Sequence, residues 1–506
     1  MPKRTVFCFA LAAFFGLGAT ALAAGGGELT LTVVDAQTGQ PLACRMHLRN
    51  EKNRPQRAAK TLFYHDHFVF HGTVKIKLPR GTYRFVIERG PEYLDGNGYF
   101  VIDNQAKDDK TVELRRACDM ADEGWWSGDL HVHRSPKDIE LLMLAEDLHL
   151  AGVLAWTNSK NDWTRQMAEQ PVRTFDGNRC YTFAGEDRPP GGTLLYFNLP
   201  EPLSVAGNEA SEAAALDALF AARQVESSWI DISSTTALDL PLWLGAGRVD
   251  SIGVCHDQML RPETTDGARG KPLKPRRPPG VLGEGNRTQE LYYHVLNCGL
   301  RIPPSAGSGS GEATNPVGYN RVYVWLGQEP FDYARWWQEF RQGRVVATNG
   351  PLVRPVANGK PPGEVFEAAA GETVSLDVAV NVTVRETISY FELVKNGRVA
   401  ASVRYEELAK TGHFPPLEFD ESGWCLVRAV TDLAETYRFA TSAPWYVEIG
   451  DAPRRVSKQS AQFFLDRLAE RRQQLEADGK PPAALSEALD RAKAFWKDVL
   501  AKSNVP

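Results

Sequence analysis

At 506 residues the chain is too long for one ordinary hydrophobic core, and its length suggests roughly three domains. A hydrophobic content of 43% with 24% charged residues is ordinary for a soluble globular protein. The net charge of -5 shows no basic excess, which argues against nucleic acid as a partner.

The chain begins with Lys3 and Arg4, an apolar run from Val6 to Ala19, and small residues at Ala21-Leu22-Ala23. This is the pattern of a cleaved secretory signal over 1–23, with an apolar run too short to serve as a membrane anchor. The protein is expected to be exported, periplasmic or extracellular, without a stable membrane anchor. Cys8 leaves with the signal. Cys44, Cys118, Cys180, Cys255, Cys298 and Cys425 are scattered, with no C-x-x-C pair. That excludes a disulfide-dense scaffold or a cysteine zinc cluster and leaves one or two bridges open.

From 24 to 120 the pattern is β. "LTLTVVDAQTGQPLACRMHL" alternates, and "VKIKLPRGTYRFVIERG" reads strand, turn, strand. This predicts a β-sandwich. The stretch "HDHFVFHG" carries His65, His67 and His71 at a spacing that resembles a metal site, but its place in the leading β-module beside Phe63, Tyr64 and Phe68 favours a loop closing a sandwich edge. From about 121 to 350 strand-like and helix-like segments alternate, the pattern of an α/β unit with parallel strands. A Pro-, Gly- and Arg-rich insertion is expected from Leu260 to Thr288. The stripe Trp336, Trp337 and Phe340 fits the core face of a helix, and Ser305 to Gly311 reads as a flexible loop. A second β-sandwich is expected over 351–452 and two amphipathic helices over 453–506.

The chemistry concentrates in "GDLHVHRSPKD". His131 and His133 stand at i and i+2 on a strand and so face the same way. Glu186 ends a later strand, and His256 with Asp257 ends another. Two imidazoles with a carboxylate suit Zn²⁺, Mn²⁺ or Fe. His256 is a candidate for a further ligand. Asp257 or Asp231 is a candidate general base, Asp129 an outer partner of the ligands, and Arg134 and Lys137 candidate contacts to an anionic substrate.

"WWSGDLHVH", "GVLAWTN", "FAGED", "PPSAGSGSG…GYNRVYVWL" and "SGWCLVRAV…TSAPWYVEI" follow one another as in CehA/McbA-type metallohydrolases of the PHP (polymerase and histidinol phosphatase) superfamily, which the chain resembles from about Trp125 to Ile449. The leading segment resembles transthyretin-like or carboxypeptidase-regulatory-like modules. The resemblance implies a PHP-like distorted (β/α)7 barrel between two β-sandwiches with a helical tail. It also implies up to three metal ions and hydrolysis of esters or phosphoesters. The departures reduce that set. Thr157-Asn158-Ser159, Gly192-Thr193, Ile230-Asp231-Ile232-Ser233 and Ser308-Gly309-Ser310-Gly311 stand where the family has further ligands. Only His131, His133 and Glu186 match, so one divalent metal is expected rather than three. The expected function is an exported hydrolase of a small ester or phosphoester with a reduced metal site. The alternative is a catalytically inactive exported binding protein of the same descent.

Overall fold

The computed structural model describes residues 25–247, 249–261, 281–388, 390–450, 454–479 and 481–506. The expected signal segment and most of the Leu260–Thr288 insertion lie outside the described residues. The end of that insertion is not loop: a helix begins at Val281 and runs to Asn297.

The leading module packs a three-stranded sheet (73–79, 26–35, 107–114) against a five-stranded one (62–64, 67–71, 43–50, 81–88, 96–102). Alternation decides which side chains meet between them. Leu29, Leu31 and Val33 from one strand and Val74, Ile76 and Leu78 from its antiparallel neighbour are buried, while the residues between them face outward.

The expected (β/α)7 barrel is not what the chain builds. Strand accounts for 38% and helix for 23% of the structure. Around the histidine strand Trp125–Val132 the sheet is mixed. Leu150–Thr157 lies parallel to it on one side, and Arg321–Trp325 antiparallel on the other. Arg179–Asp187 runs parallel to Leu150–Thr157, but Leu194–Phe197 then returns antiparallel. The physical reason is connection length. Residues 188–193 separate these two strands, whereas a parallel crossover needs about a dozen or more residues. Trp229–Ile232 pairs antiparallel again, and Ser251–Cys255 and Pro304–Ala306 then resume the parallel sense. Among the described residues no ladder joins Pro304–Ala306 to the histidine strand, where a single parallel bridge, Val132 to Ser310, stands. The sheet also continues into later chain: Val345–Thr348 pairs antiparallel with both Arg321–Val324 and Phe439–Ser442.

Helices clamp this sheet. Tyr333–Arg341 is capped by the Asp332 side chain, which accepts from the Arg335 amide at 2.8 Å. Trp336, Trp337 and Phe340 are buried, with Trp337 and Phe340 within 5 Å of Trp229 centroid to centroid. The Trp336 ring lies 2.6 Å from where a β-carbon on Gly128 would be, so the histidine strand approaches that helix as closely as glycine allows. Two final helices, Lys458–Asp478 and Ala483–Ala501, pack onto Leu240–Ala246, with Arg471 donating to Asp239 at 2.6 Å. Among the described residues no helix is long and apolar enough to cross a membrane, and the six described cysteines are free thiols.

His149 belongs to the packing. It is buried, sits edge-on to Trp126 at 4.8 Å and shares a 2.9 Å hydrogen bond with Ser127 Oγ. Burial, then the charge of Arg179, holds it down to about 3 from an ordinary 6.5. The unfolded chain therefore binds a proton that the folded chain refuses. This contribution is complete above pH 6.5 and is lost as pH falls from 6.5 toward 3. At about 1.4 kcal/mol per unit it amounts to several kcal/mol. Urea unfolding followed from about pH 7 to about pH 4 is expected to show this loss, and His149→Gln to flatten the slope.

Candidate metal centre

Among the described residues, two groups of side chains could hold a metal ion: His131, His133 and Glu186 in the central sheet, and His47, Asp66 and His67 in the leading module. In the first, His131 Nε2 is 3.0 Å from His133 Nε2 and 3.0 Å from Glu186 Oε1, and His133 Nε2 is 3.6 Å from Glu186 Oε2. Ligand bonds of about 2.0–2.2 Å put neighbouring donor atoms roughly 3–3.6 Å apart, so the spacing fits one ion. Glu186 is fully buried and His131 nearly so. His131 Nδ1 and Glu186 Oε2 are buried without a hydrogen-bond partner.

The local chain explains the convergence. Alternation brings His131 and His133 to one side of their strand, and Glu186 occupies the penultimate position of Arg179–Asp187, two strands away. Gly185 next to it is needed because the Trp156 ring fills the space of a β-carbon, 1.8 Å away. The stretch after Pro304, expected as a flexible loop, is a buried clamp on the histidine strand. Gly309 N–H donates to the His131 carbonyl at 2.8 Å, and His133 N–H donates to Ser310 O at 2.7 Å. A β-carbon on Gly307 would lie 2.4 Å from His131 Cβ, and one on Gly311 2.6 Å from the His133 carbonyl oxygen. Gly307→Ala is expected to push the His131 backbone away at an overpacking cost of about 1–3 kcal/mol. Thermal unfolding measures the cost, and a parallel metal titration is expected to show weakened binding.

Electrostatics couples the three groups. Burial lowers the basicity of both imidazoles. At His131 the hydrogen bond and charge of Glu186 outweigh burial and leave it raised. His133 is pushed down to about 4 by burial and by His131. Burial raises Glu186, but the His131 hydrogen bond and the charges of His131, His133 and Arg188 bring it below its ordinary value.

The other expected site residues fall in different places. Asp129 does not touch an imidazole. Its carboxylate accepts from the His131 and Ser308 amides at 3.1 and 2.9 Å, the Gly318 amide at 2.7 Å and the Ser308 hydroxyl at 2.5 Å. It ties the histidine strand to the glycine-serine stretch. His256 stays outside the ligand set: its Nε2 meets Thr288 Oγ1 at 3.3 Å and its carbonyl accepts from Asn320 at 2.8 Å. Asp257, partly exposed beside it, is raised by burial and lowered further by the His256 hydrogen bond and by His131, which leaves it well below the usual carboxylate range. Asp231 is buried and accepts from Ser251 Oγ at 2.5 Å and from Ser305 Oγ, and burial raises it. Arg134 is turned away, with Nε on Ser310 Oγ at 3.0 Å and its guanidinium 3.8 Å from the Tyr64 ring centroid. Lys137 is exposed on the helix Pro136–Ala145.

Sequence reading missed Arg188 and Glu312. Arg188 Nε is 2.6 Å from Glu186 Oε1, Nη1 2.6 Å from Glu312 Oε2 and Nη2 3.1 Å from His133 Nε2. Glu312 Oε1 is 3.5 Å from His133 Nδ1. The available signal was the i, i+2 relation of Glu186 and Arg188, the same spacing as the two histidines.

The second group has a different character. Asp66 ends a tight hairpin and faces His47 Nδ1 at 3.1 Å and His67 Nδ1 at 3.2 Å. Its Oδ2 also accepts from Arg49 at 2.9 Å, and Arg261 Nη2 lies 3.3 Å from His47 Nε2. Burial holds His67 down to about 3; its hydrogen bond to the Asp66 carboxylate works the other way but is outweighed, with the charges of His47, Arg45 and Arg261 adding to burial. Guanidiniums around the group oppose a cation, and the carboxylate is already satisfied by its neighbours. His65 and His71 point to solvent.

No family model and no curated protein matches this chain. Among solved structures it is similar over short stretches to the Bacillus anthracis TIE protein (20% identity, 22% of this chain and 19% of that one, TM-score 0.14). It is likewise similar to the pilus-presented adhesin Spy0125 (Cpa) (16%, 18% and 26%, TM-score 0.13). A third match is to Clostridium thermocellum CbhA fibronectin(III)-like modules (15%, 26% and 62%, TM-score 0.14). The chain spans about a fifth to three fifths of the length of these structures, and likeness at this level carries no functional argument.

Proposed function

We propose that the protein is an exported, metal-dependent hydrolase of ester or phosphoester bonds, working with one divalent ion held by His131, His133 and Glu186. The observation that carries this reading is the spacing of the three donor atoms, with Glu186 Oε2 buried and unpartnered. Three protein ligands leave coordination positions open, which is the pattern of catalytic zinc, whereas structural zinc is closed by four. A divalent metal, when bound, supplies Lewis-acid charge and lowers the pKa of water toward neutrality. Asp257, held ionised well below the usual carboxylate range, against burial, by the His256 hydrogen bond and the charges of His131 and Arg188, is too weak a base to take a proton efficiently and instead adds negative charge beside the site. Asp231, buried and already accepting from two hydroxyls, ties Trp229–Ile232 to Ser251–Cys255 and Pro304–Ala306 rather than serving as a base.

One observation favours the alternative, an inactive binding protein: Arg188 lies against two of the ligand groups, Glu186 and His133. The readings separate on two measurements. The purified protein is dialysed and assayed for Zn, Mn and Fe, then tested on p-nitrophenyl phosphate and p-nitrophenyl acetate with and without chelator. About one equivalent of metal with chelator-sensitive turnover supports the hydrolase. Stoichiometric metal without turnover on any ester supports the binding protein. No metal at any loading sinks the metal reading. Export is tested by the mature N-terminus, expected just after Ala23.

A further inference from the structure

An imidazole nitrogen has one lone pair in its plane. His133 Nε2 accepts an Arg188 N–H at 3.1 Å, so the lone pair that would bind a metal is already engaged. Glu186 Oε1, a second ligand atom, is 2.6 Å from Arg188 Nε. A guanidinium remains charged at all working pH values. Arg188 therefore supplies positive charge at the atoms where a metal would supply it, and the two cannot hold His133 Nε2 together. The third contact, Glu312 Oε2 at 2.6 Å, is at the rim, where the Arg188 side chain is 39% and the Glu312 side chain 45% exposed. Displacement from His133 and Glu186 need not cost Arg188 its link to Glu312.

We propose that Arg188 is an internal counter-cation that a metal must displace, and that the displaced guanidinium then holds an anionic oxygen of the substrate. This rests on the metal reading above and narrows it: the site would take esters that carry a negative charge, phosphoesters foremost, over neutral ones. Arg134 is bound to Ser310 and stacked on Tyr64, and Lys137 is remote on its helix face, so Arg188 is the arginine placed for that task. A planar guanidinium meets a phosphate through two parallel N–H bonds.

The test uses the full-length protein and its Arg188→Gln, Arg188→Lys and His131→Ala variants, with folding checked by circular dichroism. Zn²⁺ and Mn²⁺ affinities are measured by calorimetry, and inorganic phosphate binding is measured on metal-loaded, dialysed protein. Arg188→Gln is expected to bind metal about tenfold or more tightly than wild type and to lose phosphate affinity about tenfold or more. Arg188→Lys, which keeps the charge but cannot span Glu186, Glu312 and His133 together, is expected to fall between. Metal binding unchanged or weakened in Arg188→Gln overturns the displacement. Tighter metal with unchanged phosphate affinity overturns the substrate assignment. If His131→Ala binds metal as wild type does, or if neither wild type nor Arg188→Gln binds any, the underlying metal reading fails and this inference fails with it. Metal bound by Arg188→Gln but not by wild type at any loading means that Arg188 blocks the site without yielding to metal, and overturns the displacement.

Discussion

Glu186→Gln and His131→Ala are each expected to abolish measurable metal binding at micromolar concentrations. Both residues supply atoms at the tightest point of the cluster, where His131 Nε2 stands 3.0 Å from each of its neighbours. Losing a group that only orients a ligand costs about 10–100-fold in affinity, and loss of a ligand should exceed that. Two variants calibrate the result. Ser308→Ala removes the 2.5 Å bond to Asp129 and should weaken binding only within the outer-partner range. His256→Ala should leave affinity close to wild type, because its ring reaches Thr288 rather than the cluster. If His256→Ala loses metal as completely as His131→Ala, a ligand set of His131, His133 and Glu186 alone is wrong. Glu186→Gln also removes a fully buried negative charge beside Arg188, so its unfolding curve should be recorded alongside the titration.

Asp147→Ala is expected to be the most destabilising single change outside the core, by about 3–5 kcal/mol. Asp147 is buried and gathers three arginines. Arg89 Nη2 lies 3.0 Å and Arg179 Nη2 2.5 Å from its Oδ1, with Arg116 Nη2 2.7 Å from its Oδ2. Arg89 follows the last residue of a leading-module strand, Arg116 belongs to the connection between modules, and Arg179 begins a central strand. One carboxylate thus ties the leading module to the central sheet. Burial alone would raise its pKa, but the charges of Arg89, Arg116 and Arg179 hold it well below the usual carboxylate range. The stability it contributes is complete above the ordinary value of 3.8 and is lost as pH falls below it. Without the carboxylate, the Arg89 guanidinium, less than a tenth exposed, loses its counter-charge, and Arg179 is left with Asp176 alone. Urea unfolding at about pH 7 measures the effect. A change below about 1 kcal/mol would place the pair interactions in the surface class instead.

Local periodicity made part of this protein legible in its sequence. Side chains two apart on a strand share a face, so the convergence of His131 with His133 was readable from their spacing, as was the inward set of Leu29, Leu31 and Val33. The Trp336, Trp337 and Phe340 stripe was readable as a core face because a helix repeats at about 3.6 residues. The same pattern is blind to strand direction. "GTLLYFNL" alternates identically whether it runs parallel or antiparallel, and only the short connection 188–193 forces it back along Arg179–Asp187. That reversal replaced the expected barrel with a mixed sheet.

Composition also misled at Ser305–Gly311. Glycine and serine read as flexible chain, yet in this fold small side chains let the backbone close on His131 and His133, and the serine hydroxyls reach Asp129 and Asp231. Glu312 and the pairing of three arginines with Asp147 carry no local signature, because the partners lie 31 to 124 residues away. The sequence by itself determined that His131 and His133 stand on one side of their strand. Only the tertiary structure decided that Glu186 meets the two histidines, that His256 does not, and that Arg188 holds the site. Charge pairing across the fold depends on how strands are ordered in space, and strand order is set by connection lengths and long-range packing rather than by any short pattern of residues.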